Sequence, residues 1–502
     1  MEKNLINLIE SACLKFKDRI LYEDNKSHIS YSQVQDMAQK MASFLCRIND
    51  DTPIMVIGNR SVSTIVSYLG IVFSGHAYAP VDGDLPTERI QKICDVLKPH
   101  TILYAKEYSD LANELCNQYY AECFLIDTLF SFKKDIGALN AVKNSVIITN
   151  PLYVIFTSGS TGVPKGVFTS QLSLMCYIDG YTEMMKISKD DILGNQSPLD
   201  YIAAIRDIYV PFFTGCKTVI IPKEYFAQPS ILFDFMNARQ VSAIGWSVSA
   251  LMLPVSLGVF EENNLKTVKK ICFSGSVIPN SCLQIWQRNL PDAQFVNQYG
   301  PTEATASCTY YKIDHFVNLD ENIPIGQPYK HYKIYILDSN LSIAKKGEIG
   351  EICIAGPILA LGYYNDLDRT NKSFINNPNI QSYNETIYRT GDYGRWREDG
   401  LLEYHGRVDR QIKYMGHRVE LDEVELTAME LQGIDECLVF FDEEKERICM
   451  AYKGMMQKRD LIIHLREKLP AYMVPRKIKQ IEEIPKLPNG KNDVQELRRN
   501  FL

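Results

Sequence analysis

Short apolar runs alternate with amphipathic stretches along the first 150 residues of the chain. The runs at 53–57, 75–81 and 101–104 have the length of buried strands, and the segments between them carry apolar residues at helical spacing. Alternation of this kind predicts right-handed strand–helix–strand units, which build a largely parallel sheet. The same pattern returns in a second series of runs at 217–222, 243–246, 270–274 and 293–296. We therefore predict an α/β fold in which two doubly wound sheets pack on each other.

The pattern changes near residue 325. Strand-like runs at 332–337 and 350–355 are separated by a Lys-Lys-Gly turn with little helical pattern, which predicts a β-barrel-like subdomain over about 325–405. Another break falls at 406–411, and the helix and strand patterns after it predict a small, mobile α+β domain. The predicted domains are a large N-terminal core, 1–408, and a C-terminal lid, 409–502.

Length and charge narrow the class of protein. At 502 residues the chain exceeds what one compact core supports, so two or more domains are expected. Its 54 basic and 61 acidic residues give a net charge of −7, which argues against a general nucleic-acid or membrane-surface binder. We predict neither kind of partner.

The cysteines and the N-terminus indicate a cytoplasmic protein. The 13 cysteines have no regular spacing and no CxxC pair, which fits reduced thiols rather than a disulfide framework or a zinc site. The N-terminus has no signal-peptide core, and no apolar run reaches the ~18 residues that a membrane-spanning helix needs.

The apolar run 153–156 leads into a loop of small, hydroxylated and flexible residues. Glycines let the backbone approach an anion closely, N–H groups and hydroxyls can bind phosphate oxygens, and a lysine adds a cation. The loop residues are Thr157, Ser158, Gly159, Ser160, Thr161, Gly162 and Lys165. A Walker loop would need glycine at 164 and serine or threonine at 166, where this chain has Pro164 and Gly166. The plain alternative is a Ser/Gly-rich linker, but a linker does not follow a buried strand and end in Pro-Lys-Gly.

Three further motifs place charged side chains at turns. A strand ends in Tyr299-Gly-Pro-Thr-Glu303, which brings an aromatic ring and a carboxylate to a strand's carboxyl end, where open α/β sheets bind ligands. Asp392 follows a Thr-Gly pair after another short strand, and near the C-terminus an Asn-Gly turn presents Lys491 at a loop tip. The plain alternatives are an incidental glutamate, an ordinary Thr-Gly-Asp turn and a solvated surface lysine.

Together, and in this order, the motifs resemble the adenylate-forming superfamily, which includes acyl-CoA ligases, luciferases and nonribosomal-peptide adenylation domains. The similarity covers essentially the whole chain. It is greatest to stand-alone D-alanine:carrier-protein ligases, through phrases such as Gly75-His-Ala-Tyr-Ala-Pro-Val-Asp82 and Leu469-Pro-Ala-Tyr-Met-Val-Pro-Arg476. The resemblance implies an AMP-forming ligase that uses ATP and Mg²⁺.

The resemblance also implies a role for each motif around the nucleotide. Residues 157–162 and Lys165 would bind the phosphates of ATP. The remaining nucleotide contacts would be Tyr299 and Tyr404 beside the adenine, Asn297 at its edge with Gln298 and Gly300, Asp392 on the ribose hydroxyls, and Arg407 near the nucleotide.

Four residues would serve the reaction itself, again by resemblance. Thr302 would approach the α-phosphate, and Glu303 would hold Mg²⁺, which needs only one or two carboxylates beside phosphate oxygens. Lys491 would be the catalytic lysine that bridges the substrate carboxylate and the α-phosphate, and Asp409 would be the hinge about which the small domain rotates.

The acyl pocket departs from the family pattern. In the family an aspartate holds the α-ammonium of the substrate, and ungapped alignment places Ile202 at that position, with Arg206 one helical turn later on the same face. The pocket residues would be Asp200, Tyr201, Ile202, Ala203, Arg206, Gly245, Cys272, Ser274, Gln298, Ala306 and Ser307. An ammonium without an anionic partner is costly to bury, whereas an inward arginine favours a carboxylate or another acceptor. The alternative is that Arg206 pairs with Asp200 or Asp207 and points outward, so the substrate stays open.

The predicted function is ATP-dependent activation of a carboxylic or amino acid as acyl-adenylate. The acyl group would then pass to the phosphopantetheine thiol of a separate carrier protein, since no carrier-like segment follows the lysine loop. Two alternatives remain: a small-molecule acyl-CoA ligase, and a catalytically silent binding protein on the same fold.

Overall fold

The computed structural model of the protein describes residues 4–407, 409–443, 445–486 and 494–501. The chain divides into two compact units. The first comprises Met1–Gly83, Leu97–Phe156 and Gly166–Val408, and the second comprises Asp84–Val96, Thr157–Lys165 and Asp409–Leu502. The second unit thus contains the predicted phosphate loop and one earlier helical segment besides the C-terminal residues. The domain boundaries 1–408 and 409–502 stay a prediction.

A nine-stranded sheet belongs to the first unit. Its inner strands are parallel, and antiparallel strands form both edges. In order across the sheet, the strands are Gln327–Pro328, Thr309–Ile313, Gln294–Tyr299, Lys270–Ser274, Ala243–Ser247, Ile192–Asn195, Lys217–Ile220, Ile20–Glu23 and His28–Ser30. The second series of predicted apolar runs falls on these strands.

A seven-stranded sheet with a parallel centre holds the first series of apolar runs. In order, its strands are Gly362–Tyr363, Lys165–Ser170, Pro151–Thr157, Tyr78–Asp82, Ile54–Gly58, Thr101–Tyr104 and Glu122–Leu125. Pro151–Thr157 is buried along most of its length, as expected for a strand that lies inside a parallel sheet. The predicted phosphate loop begins where this strand ends.

Helices join the two parallel sheets into one core. Helices Val62–Phe73, Gln171–Met185 and Ala204–Thr214 contribute to a buried apolar cluster that also contains Tyr153 of the seven-stranded sheet and Val296 of the nine-stranded sheet. The other helices of the first unit are Leu5–Lys15, Tyr31–Leu45, Ser109–Tyr119, Ile126–Leu129, Ile136–Ser145, Pro229–Ala238, Val248–Ser256, Val259–Glu262, Asn280–Asn289 and Leu367–Ser373. The predicted α/β class with two packed sheets is confirmed.

An antiparallel sheet follows in the region where a β-barrel-like subdomain was predicted. Its strands are Lys333–Leu337, Gly350–Ala355, Thr386–Trp396, Phe374–Asn376 and Leu402–Arg407, the last of which also pairs with Thr386–Trp396. The strand prediction holds, but within the described residues the sheet stays open rather than closing into a barrel. Closure depends on long-range pairing of the end strands, which alternation along the sequence does not specify.

The second unit combines small sheets with helices. Its elements after residue 409 are the hairpin Gln411–Tyr414 and His417–Glu420, the strands Ile434–Asp442, Arg447–Gly454 and Lys477–Gln480, and the helices Leu421–Met429, Lys458–Lys468 and Val494–Phe501. Helix Thr87–Leu97 joins them through a buried ion pair between Arg89 and Glu423. Apolar side chains including Val424 and Leu461 form the core of this unit.

One pair of cysteines departs from the prediction of free thiols. Cys116, near the end of helix Ser109–Tyr119, forms a disulfide with Cys123 in strand Glu122–Leu125, and their Cα atoms are 6.3 Å apart. The tight helix-to-strand connection brings these two side chains together. The prediction is wrong for this pair, while the other 11 cysteines are free. Within the described ranges, no helix is both long and apolar enough to cross a membrane.

Gly326 and Gly347 allow a matched test of whether the close backbone approach at Gly326 stabilises the fold. Both have a φ of +86°, which disfavours any other residue. At Gly326, which exchanges backbone hydrogen bonds with Leu402, an added Cβ would overlap the backbone carbonyl of Tyr310, whereas at Gly347 it would meet nothing within 4 Å.

Gly347→Ala should therefore lower the unfolding free energy by about 1–2 kcal/mol, the cost of the left-handed backbone alone. Gly326→Ala should lower the unfolding free energy by about 1–3 kcal/mol more than Gly347→Ala does, because the added methyl group overpacks the site. Thermal unfolding of the two variants and the wild type, followed by near-UV circular dichroism, measures the difference. Equal shifts in Tm would show that the close approach at Gly326 does not constrain the fold.

Candidate active site

The strand Gln294–Tyr299 ends in a tight turn. An added Cβ at Gly300 would lie 2.5 Å from the Cα of Ser307, so only glycine allows the returning chain to pass. Thr305 and Ala306 have φ values of +49° and +71°, which are uncommon for residues with a side chain. The turn closes with a 2.8 Å hydrogen bond from the N–H of Cys308 to the carbonyl of Tyr299. This geometry fixes the side chains on both sides of the Gly-Pro pair.

Asp392 is the centre of a hydrogen-bonded group at this strand end. The hydroxyl of Tyr299 donates to Asp392 Oδ2 at 2.5 Å, and Arg407 Nη1 donates to Asp392 Oδ1 at 2.6 Å. The hydroxyl of Thr390 accepts the backbone N–H of Asp392 at 2.9 Å. Burial and the charge of Asp392 raise the pKa of Tyr299 well above its usual value, so the phenol stays a donor. The structure thus brings together three of the predicted nucleotide residues.

The other predicted nucleotide residues of the first unit lie beside this group. The rings of Tyr299 and Tyr404 have centroids 6.1 Å apart and are tilted by 41°. Asn297 donates its Nδ2 to the carbonyl of Pro324 at 2.9 Å, which leaves the side-chain oxygen as an acceptor. Gln298 is buried and donates to the hydroxyl of Tyr329 at 2.9 Å.

Glu303 is fully buried in the turn that follows. Its Oε1 accepts a 2.7 Å hydrogen bond from the hydroxyl of Tyr363, and Thr302 beside it is also buried. Within the described residues, no three His, Cys, Asp or Glu side chains gather to hold a metal. A single carboxylate is nevertheless sufficient for Mg²⁺ when phosphate oxygens supply the other ligands. Glu303 fits that requirement because its carboxylate is buried and is fixed in place by the hydroxyl of Tyr363.

The predicted phosphate loop belongs to the second unit. Gly162 has a φ of +77°, and its N–H donates to the carbonyl of Gly159 at 2.9 Å, which closes a tight turn. The hydroxyl of Ser158 donates to the carbonyl of Arg418 at 2.6 Å. Ser160 and Thr161 are exposed, whereas Thr157, Gly159 and Lys165 are buried. The loop therefore has exposed hydroxyls on a fixed turn.

Arg206 points into the first unit rather than outward. It is 3% exposed, and its Nη2 donates to the carbonyl of Gly245. Its Nη1 lies 3.8 Å from the sulfur of Cys272, and its guanidinium lies 5.4 Å from the ring centre of Tyr181. An added Cβ at Gly245 would overlap the guanidinium, so the missing side chain at 245 makes room for Arg206. Three predicted pocket residues therefore contact one another.

Asp207 neutralises this buried arginine. Its Oδ1 lies 3.5 Å from Arg206 Nε, and its Oδ2 accepts a 2.9 Å hydrogen bond from Asn195. Burial opposes the charge of Arg206, but Cys272 and Asp207 raise the pKa of the guanidinium above its usual range. Asn195 in turn accepts from Arg60 at 3.2 Å. The sequence left open that Arg206 pairs with Asp200 or Asp207 and points outward. Arg206 does pair with Asp207, but its side chain points into the protein.

The remaining residues predicted for the pocket also belong to the first unit. Ile202 is 5% exposed and lies just before helix Ala204–Thr214, with Ala203 at the helix start. Asp200 and Tyr201 precede them and are partly buried, and burial together with the charge of Asp82 raises the pKa of Asp200 to about 7. Ser274, Ala306 and Ser307 lie at strand ends or in the Tyr299 turn, and Ser307 lies 3.5 Å from the side-chain oxygen of Gln298.

Two further predictions concern the second unit. Asp409 is exposed and its Oδ1 accepts the backbone N–H of Gln411 at 3.3 Å. Lys491 lies outside the described residues. Neither position is tested by the geometry, and both roles stay predictions.

Two residues that form hydrogen bonds to side chains of the candidate site were not predicted from the sequence. Tyr363, which supports Glu303, lies 60 positions away, and Asn195, which supports Asp207 of helix Ala204–Thr214, ends the preceding strand Ile192–Asn195. No local signal marks either residue. The pairing of Gly245 with Cys272 on adjacent strands could have been predicted from strand register, because both residues occupy matching positions in consecutive parallel strands.

Comparisons with known proteins identify the family. The sequence profile of the AMP-binding enzyme family matches residues 9–364, and that of the AMP-binding enzyme C-terminal domain matches residues 423–491. A protein named D-alanine--D-alanyl carrier protein ligase from Bacillus cytotoxicus is 29% identical over 98% of both chains. A protein of the same name from Bacillus cereus strain G9842 is 30% identical, also over 98% of both chains.

Solved structures agree on the fold. The Vibrio cholerae adenylation domain AlmE, in complex with glycyl-adenosine-5'-phosphate, superposes with a TM-score of 0.84 at 21% identity and covers 100% of this chain and 98% of its own. The resemblance predicted from the motifs is confirmed: the chain belongs to the AMP-binding enzyme family.

Proposed function

We propose that this protein activates a carboxylic acid with ATP and transfers the acyl group to the phosphopantetheine thiol of a separate carrier protein. The observation that carries the nucleotide half is the Asp392 carboxylate, which Tyr299 and Arg407 hold at the carboxyl end of a parallel strand. The carrier half rests on relatives similar over the whole chain, which are named as carrier protein ligases.

Asp392 would bind the ribose. A carboxylate offers about four lone-pair positions. Tyr299 and Arg407 use one on each oxygen, so acceptor positions remain for the two ribose hydroxyls. The adenine would stack beside Tyr299 and Tyr404 and donate its amino group to the free oxygen of Asn297. Gln298 and Gly300 would complete the nucleotide wall.

Glu303 would hold Mg²⁺, which when bound supplies positive charge beside the phosphates. Tyr363 fixes the carboxylate through a 2.7 Å hydrogen bond. Thr302 would approach the α-phosphate, while the hydroxyls and N–H groups of residues 157–162 and the ammonium of Lys165 would bind the other phosphates.

The proposed reaction has two steps. In the first, a carboxylate oxygen of the acid attacks the α-phosphorus of ATP, an O–P bond forms and pyrophosphate leaves. In the second, the carrier thiol loses its proton, its sulfur attacks the acyl carbon and AMP leaves. Lys491 would stabilise the charge that develops between carboxylate and α-phosphate in the first step. We also propose the domain division at 408/409, with Asp409 as the hinge that lets the lid serve both steps.

The acid itself differs from the substrate of the named relatives. Ile202 places an apolar side chain where the family's ammonium-binding aspartate stands, and the nearby Arg206 is a cation. Among the residues that the structure describes, Nη1 of Arg206 meets only the weak acceptor Cys272 at 3.8 Å, so this donor would be available to a ligand. We infer a substrate that is not held through an α-ammonium: a hydroxy or aryl acid, a diacid whose second carboxylate meets Arg206, or a β-amino acid.

Carboxylate-dependent exchange of labelled pyrophosphate into ATP tests the enzymatic proposal. The wild-type protein should catalyse exchange with at least one acid of a broad panel. In Lys491→Ala the exchange rate should fall ~100-fold or more, because the group that stabilises the developing charge is gone. ATP binding, measured by calorimetry, should stay close to normal. Lys453→Ala, at an exposed lysine of the same unit, is the control. Near-normal exchange in Lys491→Ala would contradict the catalytic role.

Asp392→Asn tests the ribose contact. Replacing the carboxylate should weaken ATP binding about tenfold or more, because hydrogen bonds to a charged acceptor contribute about 1.5–3 kcal/mol. Tyr299→Phe removes one donor to Asp392 but keeps the ring, so it should weaken ATP binding less. Titration calorimetry measures both. A Kd for ATP in Asp392→Asn equal to that of wild type would exclude Asp392 from the nucleotide site.

Ile202→Asp restores the missing carboxylate and tests the substrate proposal. The wild type should activate D- and L-alanine poorly compared with its best acid, and Ile202→Asp should improve alanine activation at least tenfold. Efficient alanine exchange by the wild type would overturn the proposal and favour the substrate of the named relatives.

Arg206→Gln complements that experiment. It should raise the KM of a diacid tenfold or more and leave the KM of a neutral monoacid nearly unchanged, because only the diacid uses the guanidinium. Arg60→Gln removes a neighbouring, partly buried guanidinium that hydrogen-bonds Asn195 rather than Gly245, so it controls for general damage. A diacid KM that responds equally to both variants would remove Arg206 from the contact.

A further inference from the structure

Two buried tyrosines that were not predicted from the sequence lie close to the predicted acid pocket. Tyr177 and Tyr181 are four residues apart on helix Gln171–Met185, so their side chains share one face of that helix. Their ring centres are 6.1 Å apart, and neither side chain is more than 1% exposed. The helix therefore brings two phenol groups into the interior of the first unit.

Tyr181 connects this pair of rings to Arg206. The guanidinium of Arg206 lies 5.4 Å from the centre of the Tyr181 ring. The hydroxyl of Tyr181 lies 3.4 Å from the sulfur of Cys272, which is also the weak acceptor for Nη1 of Arg206. The tyrosine pair and the predicted pocket residues thus meet in one part of the core.

The hydroxyl of Tyr177 has no hydrogen-bond partner among the described residues, although the side chain is 0% exposed. Buried hydroxyls are normally hydrogen-bonded, because an unpaired one loses its hydration without compensation. Tyr153 and Tyr332 are unpaired in the same way. What distinguishes Tyr177 is its position: burial raises its pKa to about 12, and the charge of Arg206 and the hydroxyl of Ser307 oppose that rise. Its phenol is therefore a protonated donor near a cation.

Ser307 places Tyr177 near the turn of the candidate active site. Ser307 follows Thr302 and Glu303 in the same turn, and its hydroxyl makes only a long contact, 3.5 Å, with the side-chain oxygen of Gln298. Under the proposed function, the reacting carboxylate of the acid lies near Thr302. The other end of the acid would then lie towards Ser307 and Tyr177.

The groups that this end would meet are donors. Nη2 of Arg206 donates to the carbonyl of Gly245, so Nη1 is the part of the guanidinium with the weakest acceptor. A carboxylate accepts several hydrogen bonds and has the charge opposite to Arg206, so it fits Nη1 and the Tyr177 hydroxyl together. An ammonium offers only donors and would meet Arg206 as a like charge, and a methyl group would leave both donors unpaired.

We propose that Tyr177 is a specificity-determining residue whose hydroxyl, together with Nη1 of Arg206, donates to the distal carboxylate of a dicarboxylic acid. The inference rests on the proposed function, because it selects one of the substrate classes that the proposed function allows. It also assigns a role to a helix that the sequence motifs did not connect with the acid.

A matched panel of acids tests the end group by pyrophosphate exchange. Straight-chain and aromatic acids of several lengths each carry a carboxylate, a hydroxyl, a methyl or an aliphatic amino group at the distal end. On its preferred skeleton, the wild type should use the carboxylate-terminated acid with a kcat/KM at least tenfold above that of the other three. A preference for the hydroxyl-, methyl- or amino-terminated acid would overturn the proposal.

Tyr177→Phe removes the hydroxyl and keeps the ring. The KM for the preferred diacid should rise about tenfold, because a hydrogen bond to a charged acceptor is lost, while the KM for the methyl-terminated acid and for ATP should stay near the wild-type values. The Tm should stay at or above that of the wild type, since the hydroxyl has no partner within the described protein. An equal rise in KM for both acids, or no rise for either, would remove Tyr177 from substrate recognition.

Tyr22→Phe is the matched control. Tyr22 is equally buried, but its hydroxyl donates to the carbonyl of Ile208 at 2.6 Å. Its loss should lower the Tm and leave the preference between the two acids unchanged. If Tyr22→Phe changed that preference as much as Tyr177→Phe, the effect would be a general loosening of the core and the proposal would fall.

The outcomes keep this inference distinct from the proposed function. If the wild type activates an acid and loads a carrier protein, but prefers another end group, the inference falls and the proposed function stands. If the acyl group of a diacid passes to coenzyme A instead, the carrier half of the proposed function falls and the role of Tyr177 stands. Exchange with no acid of the panel would contradict the proposed function, and the inference would fall with it.

Discussion

Two buried carboxylates tie three sheets of the first unit together, and the candidate nucleotide site is built on both ties. Asp392 of the antiparallel sheet is held by Tyr299, which ends a strand of the nine-stranded sheet. Glu303, in the turn after that strand, is held by Tyr363 on the edge of the seven-stranded sheet. A hydrogen bond to a charged group contributes about 1.5–3 kcal/mol, so the two tyrosine contacts stabilise the fold as well as the candidate site. The contacts between the sheets therefore set the geometry of the candidate nucleotide site.

Around the proposed acid pocket, by contrast, the fold has to accommodate a buried cation, Arg206. An isolated guanidinium is too costly to bury, and Asp207 with the carbonyl of Gly245 offsets that cost for Arg206. The network continues through Asn195 to Arg60. Each partner is polar, so the surroundings of Arg206 form a filled, polar layer rather than an apolar cavity. Under the proposed function, a substrate would meet this layer at the weak contact between Arg206 and Cys272.

Local patterns predicted what depends on local physics. The strand Lys270–Ser274 and the tight turn at Gly300 follow from an apolar run and a Gly-Pro pair, and the family follows from the resemblance of the motifs. Contacts between distant segments could not be predicted in this way. Whether Arg206 turned inward depended on an absent side chain at Gly245, and the disulfide of Cys116 depended on how closely a helix meets the next strand. The open antiparallel sheet in place of a barrel has the same origin, since closure is set by long-range pairing.

Under the proposed function, Asp200 is the predicted pocket residue that would accept a positively charged substrate despite Ile202. Burial and Asp82 raise the pKa of Asp200 to about 7, so near neutral pH the carboxyl is about half ionised and full ionisation costs little. Because this pKa lies above the ordinary value of a carboxyl, the charged form destabilises the fold as pH rises from about 4 to 7. A nearby ammonium reverses that effect and favours the carboxylate. An amino-bearing acid that reached Asp200 would therefore bind more tightly as pH rises through 7. Recognition through Arg206, whose charge is constant in this range, would show no such dependence, so the pH profile of KM reports which of the two charged groups a substrate meets.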